Sequence, residues 1–134
     1  MKPTDYNNEF IYSFGNMYCY DSYVIGRLNS GIKVDNEIAM RMLTDINDCY
    51  GKEKIVFISN REFGHEVDPA VYKLINAKTM IGIAIIGTTK EQRIQAATEQ
   101  SLYNGSFGYF NNLESAVEWA KSFTKSATDL KTGS

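Results

Sequence analysis

The hydrophobic pattern changes character along the chain, and these changes predict its elements. Residues 54–59 and 80–86 are continuous apolar runs, which is typical of strands buried on both faces. Residues 107–110 predict a shorter last strand. Between these runs, apolar residues recur every three or four positions, which predicts helices over about 35–50, 69–75, 88–103 and 113–123. This alternation favours helices packed on a mostly parallel sheet.

The first part of the chain has a different pattern. Residues 10–28 are rich in aromatic and β-branched side chains and are interrupted at Gly15-Asn16 and Asp21-Ser22. This predicts an antiparallel hairpin, residues 17–20 against 23–28, preceded by an extended segment of undetermined register. The predicted fold class is therefore α/β with one mixed sheet, in the order β-β-α-β-α-β-α-β-α.

Polar residues mark where the helices begin and end. Gly51 follows the first helical stripe and predicts its end. Asp68-Pro69 predicts the next helix start, because Asp can cap free N–H groups and Pro tolerates the first helical position. Thr88 with Glu91 fits a capping box for the following helix. The inward positions predicted for that helix are Ile94, Ala97 and Leu102.

Composition and charge restrict the class of protein. With 134 residues, 43% hydrophobic and 22% charged, the chain fits one globular domain over residues 1–124 and a polar tail over 125–134. The longest apolar run is about seven residues, which predicts no membrane insertion. Basic residues are scattered at a net charge of -2, which argues against nucleic-acid binding. We expect a cytoplasmic protein with Cys19 and Cys49 reduced.

The clearest candidate site follows the buried strand at residues 54–59. In open α/β sheets, ligands and partners meet the fold outside the carboxyl ends of the strands. Here a polar loop leads into a helix start, whose dipole favours anionic groups. We expect this loop to be an exposed binding surface. Its candidate residues are Ser59, Asn60, Arg61, His65, Glu66 and Asp68.

The same residues have plainer interpretations. Arg61 can grip an anion through its planar donors, or it can form a salt bridge with Glu62, Glu66 or Asp68. His65 is the only histidine and can transfer protons, or it can be a solvated or backbone-bonded loop residue. No nucleophile, metal-ligand or nucleotide-binding motif accompanies them. The sequence therefore predicts no catalytic residue, no metal and no cofactor.

A cluster of aromatic residues in the predicted hairpin has two interpretations. Tyr18, Tyr20 and Tyr23 can pack in the core, or some can be exposed and form the surface of a homodimer. An isologous dimer through the hairpin is the expected symmetry in the second case.

Three segments together resemble a known family. Residues 55–69, 82–85 and 110–120, in this element order, are similar to the STAS-like (SpoIIAA-like) fold, named from sulphate transporters and from antagonists of anti-sigma factors. The resemblance spans about residues 14–123 and is to an uncharacterised bacterial branch that is frequent in flavobacteria. It implies a module that binds a protein partner in bacterial regulation without chemistry.

The resemblance also marks a departure from the family pattern. Phosphoregulated members carry a switch serine at the start of the helix after the third strand, whereas here Ser59 ends the strand and Asp68-Pro69 begins the helix. The alternative function is binding of a small molecule or lipid, because related folds such as the CRAL-TRIO proteins hold apolar ligands beneath a mobile helix. An enzyme is the least favoured class.

Overall fold

A computed structural model describes residues 4–132, with side chains described to residue 123. Six strands form one mixed sheet: β1 Asn8–Tyr12, β2 Gly15–Cys19, β3 Tyr23–Leu28, β5 Ile55–Asn60, β7 Met80–Ile86 and β8 Ser106–Phe110. They lie side by side in this order. The first three pair antiparallel, and each later strand pairs parallel with the strand before it. Two short strands, β4 Lys33–Val34 and β6 Glu66–Val67, form a separate parallel pair.

The helices cover both faces of this sheet. They are α1 Asn36–Tyr50, a 3-10 helix Pro69–Leu74, α2 Lys90–Gln100 and α3 Leu113–Thr132. α1, the 3-10 helix and α2 pack on one face, around Met17, Val24 and Ile85. α3 packs on the other face through Ala116 and Ala120. The predicted α/β class, with helices on one mixed sheet that has an antiparallel N-terminal part, is confirmed.

Several predicted elements differ in detail. The extended segment of undetermined register is β1, which pairs with β2 so that Phe10 faces Met17. The element after Asp68 is a 3-10 helix instead of an α-helix. α3 continues to Thr132, beyond the end predicted near residue 123. The side chains of the predicted polar tail lie outside the described residues.

The inward face predicted for α2 is wrong. Thr89 caps this helix and forms a capping box with Gln92, one residue later than the predicted Thr88 and Glu91. Ala96 and Glu99 are the buried residues of α2, whereas Ile94 is 59% and Leu102 is 46% exposed. The prediction followed hydrophobicity, whereas Ile94 of α2 faces solvent and Leu102, which is also exposed, lies beyond the end of this helix.

The aromatic residues of the hairpin are less exposed than a dimer surface requires. Tyr18 is 3% and Tyr23 is 7% exposed, because both belong to the core on the α3 side of the sheet. Tyr20 is half-buried and stacks on Tyr23, with ring centroids 4.5 Å apart. Of the two interpretations, the core therefore holds for Tyr18 and Tyr23, and these two rings do not form a dimer surface.

Candidate functional site

The polar residues after β5 turn into the protein. Arg61 is 2% and His65 is 4% exposed, so the expectation of an exposed loop is wrong for both. The main chain explains this geometry: the Arg61 N–H donates to the carbonyl of Ile86, the last residue of β7. The side-chain amide of Gln92 in α2 donates to the Arg61 carbonyl at 2.8 Å. Both contacts hold the segment beneath α2.

Arg61 forms a buried ion pair with Glu99 of α2. Its two terminal nitrogens each donate to a different carboxylate oxygen of Glu99 at 2.5 Å. The side chains are 3% and 0% exposed. A bidentate pair of this kind fixes the mutual orientation of both groups. The predicted salt-bridge partners Glu62, Glu66 and Asp68 are not the partners of Arg61.

Tyr72 of the 3-10 helix provides a further hydrogen bond to Glu99. Its hydroxyl donates to Glu99 Oε1 at 2.6 Å. Burial, followed by the nearby carboxylate charge, raises the pKa of Tyr72, so the phenol stays protonated and acts as a donor. The carboxylate thus accepts three hydrogen bonds, which offset the cost of burying its charge.

Ser59 and His65 extend this network. Arg61 Nε donates to Ser59 Oγ at 3.2 Å, and Ser59 Oγ lies 3.5 Å from His65 Nε2. Burial and the charge of Arg61 lower the pKa of His65 from 6.5 to about 4, so the ring is neutral at neutral pH. His65 Nδ1 is buried and has no hydrogen-bond partner among the described residues.

These polar groups form one end of an apolar cavity of about 80 Å³ between α1, the 3-10 helix and the sheet. Ser59, Arg61, His65 and Tyr72 line that end. The remaining wall is almost entirely aliphatic or aromatic, with Gly26 in the sheet opposite Phe57 and Met42 of α1. The cavity therefore offers apolar contact along its length and hydrogen bonding at one end.

A larger groove of about 250 Å³ adjoins the cavity. The two share the lining residues Leu43, Ile46, Ile75 and Met80. The groove lies at the start of β5 by Ile55, and the polar cluster lies at its end by Ser59. Four residues of strand separate these two positions, about 13 Å. The groove therefore adjoins the cavity on the side away from the polar cluster.

The other predicted site residues do not join this cluster. The Asn60 side chain accepts the Glu62 N–H at 3.1 Å and shapes the turn. Glu66 is exposed in β6. Asp68 accepts the Ala70 N–H at 3.0 Å and caps the 3-10 helix, as predicted. Of the six candidates, the structure brings together Ser59, Arg61 and His65.

Sequence reasoning missed Glu99 and Tyr72. One signal was available for Glu99: Gln92, Ala96, Glu99 and Tyr103 recur at spacings of four, three and four, which places them on one helical face. A search for apolar periodicity does not detect that face, because most of its residues are small or polar. Tyr72 lies within the helix predicted over 69–75, and nothing in the local pattern distinguished it from its neighbours.

Two further properties concern the described part of the chain. No group of three His, Cys, Asp or Glu side chains there is placed to hold a metal ion. No helix within it has the length and apolar character needed to cross a membrane.

Comparison with known proteins identifies the fold. Neither protein-family models nor curated proteins give a match. A solved structure of an uncharacterized protein from the DUF3478 family of Shewanella loihica is similar over 90% of this chain and 98% of that one, with a TM-score of 0.57 and 17% identity. That protein has a SpoIIAA-like fold. The predicted STAS-like, SpoIIAA-like fold is therefore confirmed for this chain.

Proposed function

We propose that this SpoIIAA-like protein is a non-enzymatic module that binds a small, mainly apolar molecule carrying one uncharged polar group. The observation that supports this proposal is the apolar cavity that ends at Ser59 and His65. A concave, mostly apolar site with a few convergent polar groups is the usual form of a small-molecule site. The cavity favours the ligand-binding alternative over the partner-binding function that the sequence placed first.

The charges in the cavity wall argue for an uncharged head group. Arg61 and Glu99 neutralise each other in a bidentate pair, so neither offers a free charge to a ligand. His65 is neutral, and its buried Nδ1 lacks a hydrogen-bond partner among the residues that the structure describes. If Ser59 donates to Nε2, the proton of the ring lies on Nδ1, which then donates to a ligand oxygen. A medium-chain alcohol or ketone fits these requirements.

The size of the cavity requires the protein to open. An engineered apolar cavity of about 150 Å³ holds benzene, so a chamber of about 80 Å³ accepts only a small group. Joined to the groove, it reaches the lower end of the usual range for ligand sites, about 300 Å³. The residues that separate the two spaces, Leu43 and Ile46 of α1 with Ile75 and Met80 opposite, would have to move apart.

Calorimetric titration with straight-chain alcohols from hexanol to dodecanol tests the proposal. We expect saturable one-to-one binding that strengthens with chain length up to a limit. The matching alkanes should bind at least tenfold more weakly because they lack the oxygen. Native mass spectrometry of the purified protein provides a second readout, through copurified small molecules. Absence of saturable binding by every alcohol, with no copurified molecule, would overturn the proposal.

Filling the cavity supplies a matched pair of variants. Ala39 of α1 is buried and lines the cavity, whereas its neighbour Met40 is 49% exposed. We expect Ala39→Leu to abolish alcohol binding while the protein stays folded, because the new side chain occupies the space of the ligand. Met40→Leu should leave binding unchanged. Equal binding by both variants would place the alcohol elsewhere on the protein.

The absence of chemistry is part of the proposal. Ser59 and His65 resemble a nucleophile and base, but a triad needs a third group that orients the imidazole. His65 Nδ1 has no such partner among the described residues. We expect no hydrolysis of nitrophenyl esters above the background rate. Turnover that disappears in Ser59→Ala would refute this part of the proposal.

Protein binding is the second candidate, and an exposed aromatic residue favours it. Phe63 is 47% exposed in the turn between β5 and β6, with the Arg27 guanidinium 4.6 Å from its ring centroid. Exposed aromatic and Arg side chains are frequent anchors in interfaces. Affinity capture with wild type beside Phe63→Ser tests this candidate. Equal recovery of every captured protein would dismiss the turn as a partner surface.

A further inference from the structure

The two cysteines lie on neighbouring elements that pack together. Cys19 ends β2, is 2% exposed and faces the core beneath α1. Cys49 lies in the last turn of α1 and is exposed. Both are reduced in this structure. Their positions in the sequence gave no reason to pair them.

Independent contacts place Cys49 directly above Cys19. Asn8 of β1 pairs with Cys19 across the strands, and its side-chain amide donates to Cys49 Sγ at 3.6 Å. The hydroxyl of Tyr50, the next residue of α1, donates to the carbonyl of Tyr20, the residue after Cys19. Two consecutive residues of α1 are therefore held over two consecutive residues at the end of β2.

We propose that Cys19 and Cys49 form a reversible intramolecular disulfide that fixes the carboxyl end of α1 to β2. The oxidant is a hydroperoxide. The exposed Cys49 thiol attacks the peroxide oxygen, which gives a sulfenic acid and one water from hydrogen peroxide. The Cys19 sulfur then attacks the Cys49 sulfur, and the hydroxyl group leaves as a second water with the Cys19 proton. Two thiols lose two electrons, and a dithiol reductant reverses the reaction.

The environments of the two thiols suit this order of events. Burial raises the pKa of Cys19 to about 12, and a hydrogen bond with the Cys49 thiol contributes to the shift. Cys19 is thus protonated and shielded, and it does not react first with peroxide. The exposed Cys49 is the accessible thiol. Cys19 serves as the resolving thiol, and proximity compensates for its low thiolate fraction.

Formation of the disulfide can be tested without any ligand. After treatment with hydrogen peroxide, we expect the monomer to lose two hydrogen atoms in intact mass. Both free thiols should disappear in denaturing titration, and a peptide linking Cys19 to Cys49 should appear. The melting temperature should rise by roughly 5–15 °C, because the cross-link closes a loop of about 30 residues. Thioredoxin with its reductase should restore both thiols.

Single-cysteine variants provide the controls. Cys49→Ser should leave Cys19 unmodified by peroxide under native conditions. Cys19→Ala should leave Cys49 to form a sulfinic acid or a disulfide-linked dimer, and Cys19→Val serves if the alanine variant fails to fold. A wild-type protein that gives only dimers through Cys49, or sulfinic acid at Cys49 with Cys19 still reduced, would overturn the proposal.

The cross-link has a consequence for the cavity, which rests on the proposed function. The groove is lined by Ile46, Asn47 and Tyr50 of α1, so fixing this end of the helix restrains the wall that must move. We expect the association rate of octanol to fall at least threefold in the oxidised protein. An unchanged rate in a protein shown by mass to be cross-linked would reject this consequence and leave the disulfide established.

Discussion

At the scale of single residues, the ion pair of Arg61 and Glu99 should dominate the stability of the site. Arg61→Ala leaves a carboxylate that is 0% exposed without its main partner. Removing one member of such a pair typically costs about 3–5 kcal/mol. We expect a loss of this size in the free energy of unfolding, measured by urea denaturation. A loss below about 0.5 kcal/mol, the usual cost at an exposed loop position, would contradict the buried geometry.

A combined variant separates the cost of the unpaired charge from the value of the pair itself. In Arg61→Met, Glu99→Met, Tyr72→Phe, the charges and the donor to Glu99 are removed together. Replacing a buried ion pair by apolar residues is often nearly neutral. The triple variant should therefore be more stable than Arg61→Ala alone. If it is less stable, the pair contributes net stability of its own.

His65 makes stability depend on pH. The pKa is about 4 in the folded protein against 6.5 ordinarily, so between these values the unfolded chain binds a proton that the folded protein does not. The contribution of His65 to the free energy of unfolding is fully present above pH 6.5. It is lost as the pH decreases toward 4, by about 3 kcal/mol in total. Urea denaturation at intervals over this range measures the slope.

The variant His65→Asn isolates this contribution from the carboxylates that titrate nearby. Its stability should change less between pH 6.5 and pH 4.5 than that of the wild type, whatever its absolute value. Identical slopes would mean that His65 is solvated and titrates normally in the folded protein.

For the residues of the site, the sequence predicted the position of the polar segment but not its burial or its partner. The polar segment after β5 was located correctly, because a buried strand followed by Asn60 and Asp68 marks a strand end and a helix cap. Its burial was not predictable locally, since it depends on α2, which begins some 30 residues later. Nothing near Arg61 in the sequence indicates that its partner is Glu99. Long-range pairing decides between an exposed loop and a buried network.

At the scale of elements, the cap of α2 distinguishes the observed helix phase from the one predicted from hydrophobicity. Thr89 Oγ1 accepts the Gln92 N–H at 3.1 Å, whereas Thr88 uses only its main-chain N–H, which donates to Gln92 Oε1. Thr89→Ala should cost about 1 kcal/mol through the lost cap. Thr88→Ala is the matched control and should cost little. Thermal unfolding of both variants measures the two losses of stability. A larger loss for Thr88→Ala than for Thr89→Ala would favour the predicted capping box at Thr88 and Glu91.

The elements themselves were more predictable than their faces. β7 has the predicted bounds, and α1 ends at the predicted Gly51, where φ is 59°. Strand runs and helix stops depend on local chemistry, so the sequence reveals them. The short pair β4 and β6 was missed because two residues per strand give no period to detect. The phase of α2 was missed because its inward residues are smaller and more polar than its outward ones.

At the scale of the whole molecule, the predicted homodimer needs a different surface from the one first expected. β1 is an edge strand of the six-stranded sheet, and its Ile11 is 75% exposed. An exposed edge strand with an apolar residue is a template for pairing with a second chain. An isologous dimer through β1 keeps the predicted symmetry but uses the strand that precedes the predicted hairpin, with Tyr18 and Tyr23 remaining in the core.

We therefore expect a homodimer at micromolar concentration, measured by light scattering. Ile11→Lys should yield a monomer, because a charged side chain on the edge opposes strand pairing. Ile94→Lys is the matched control: Ile94 is 59% exposed on α2, far from the edge in sequence, and its substitution should leave the dimer intact. Tyr18→Ser should lower the melting temperature instead of dissociating the dimer, since that ring is buried. A monomeric wild type, or a dimer indifferent to Ile11→Lys, would exclude association through β1.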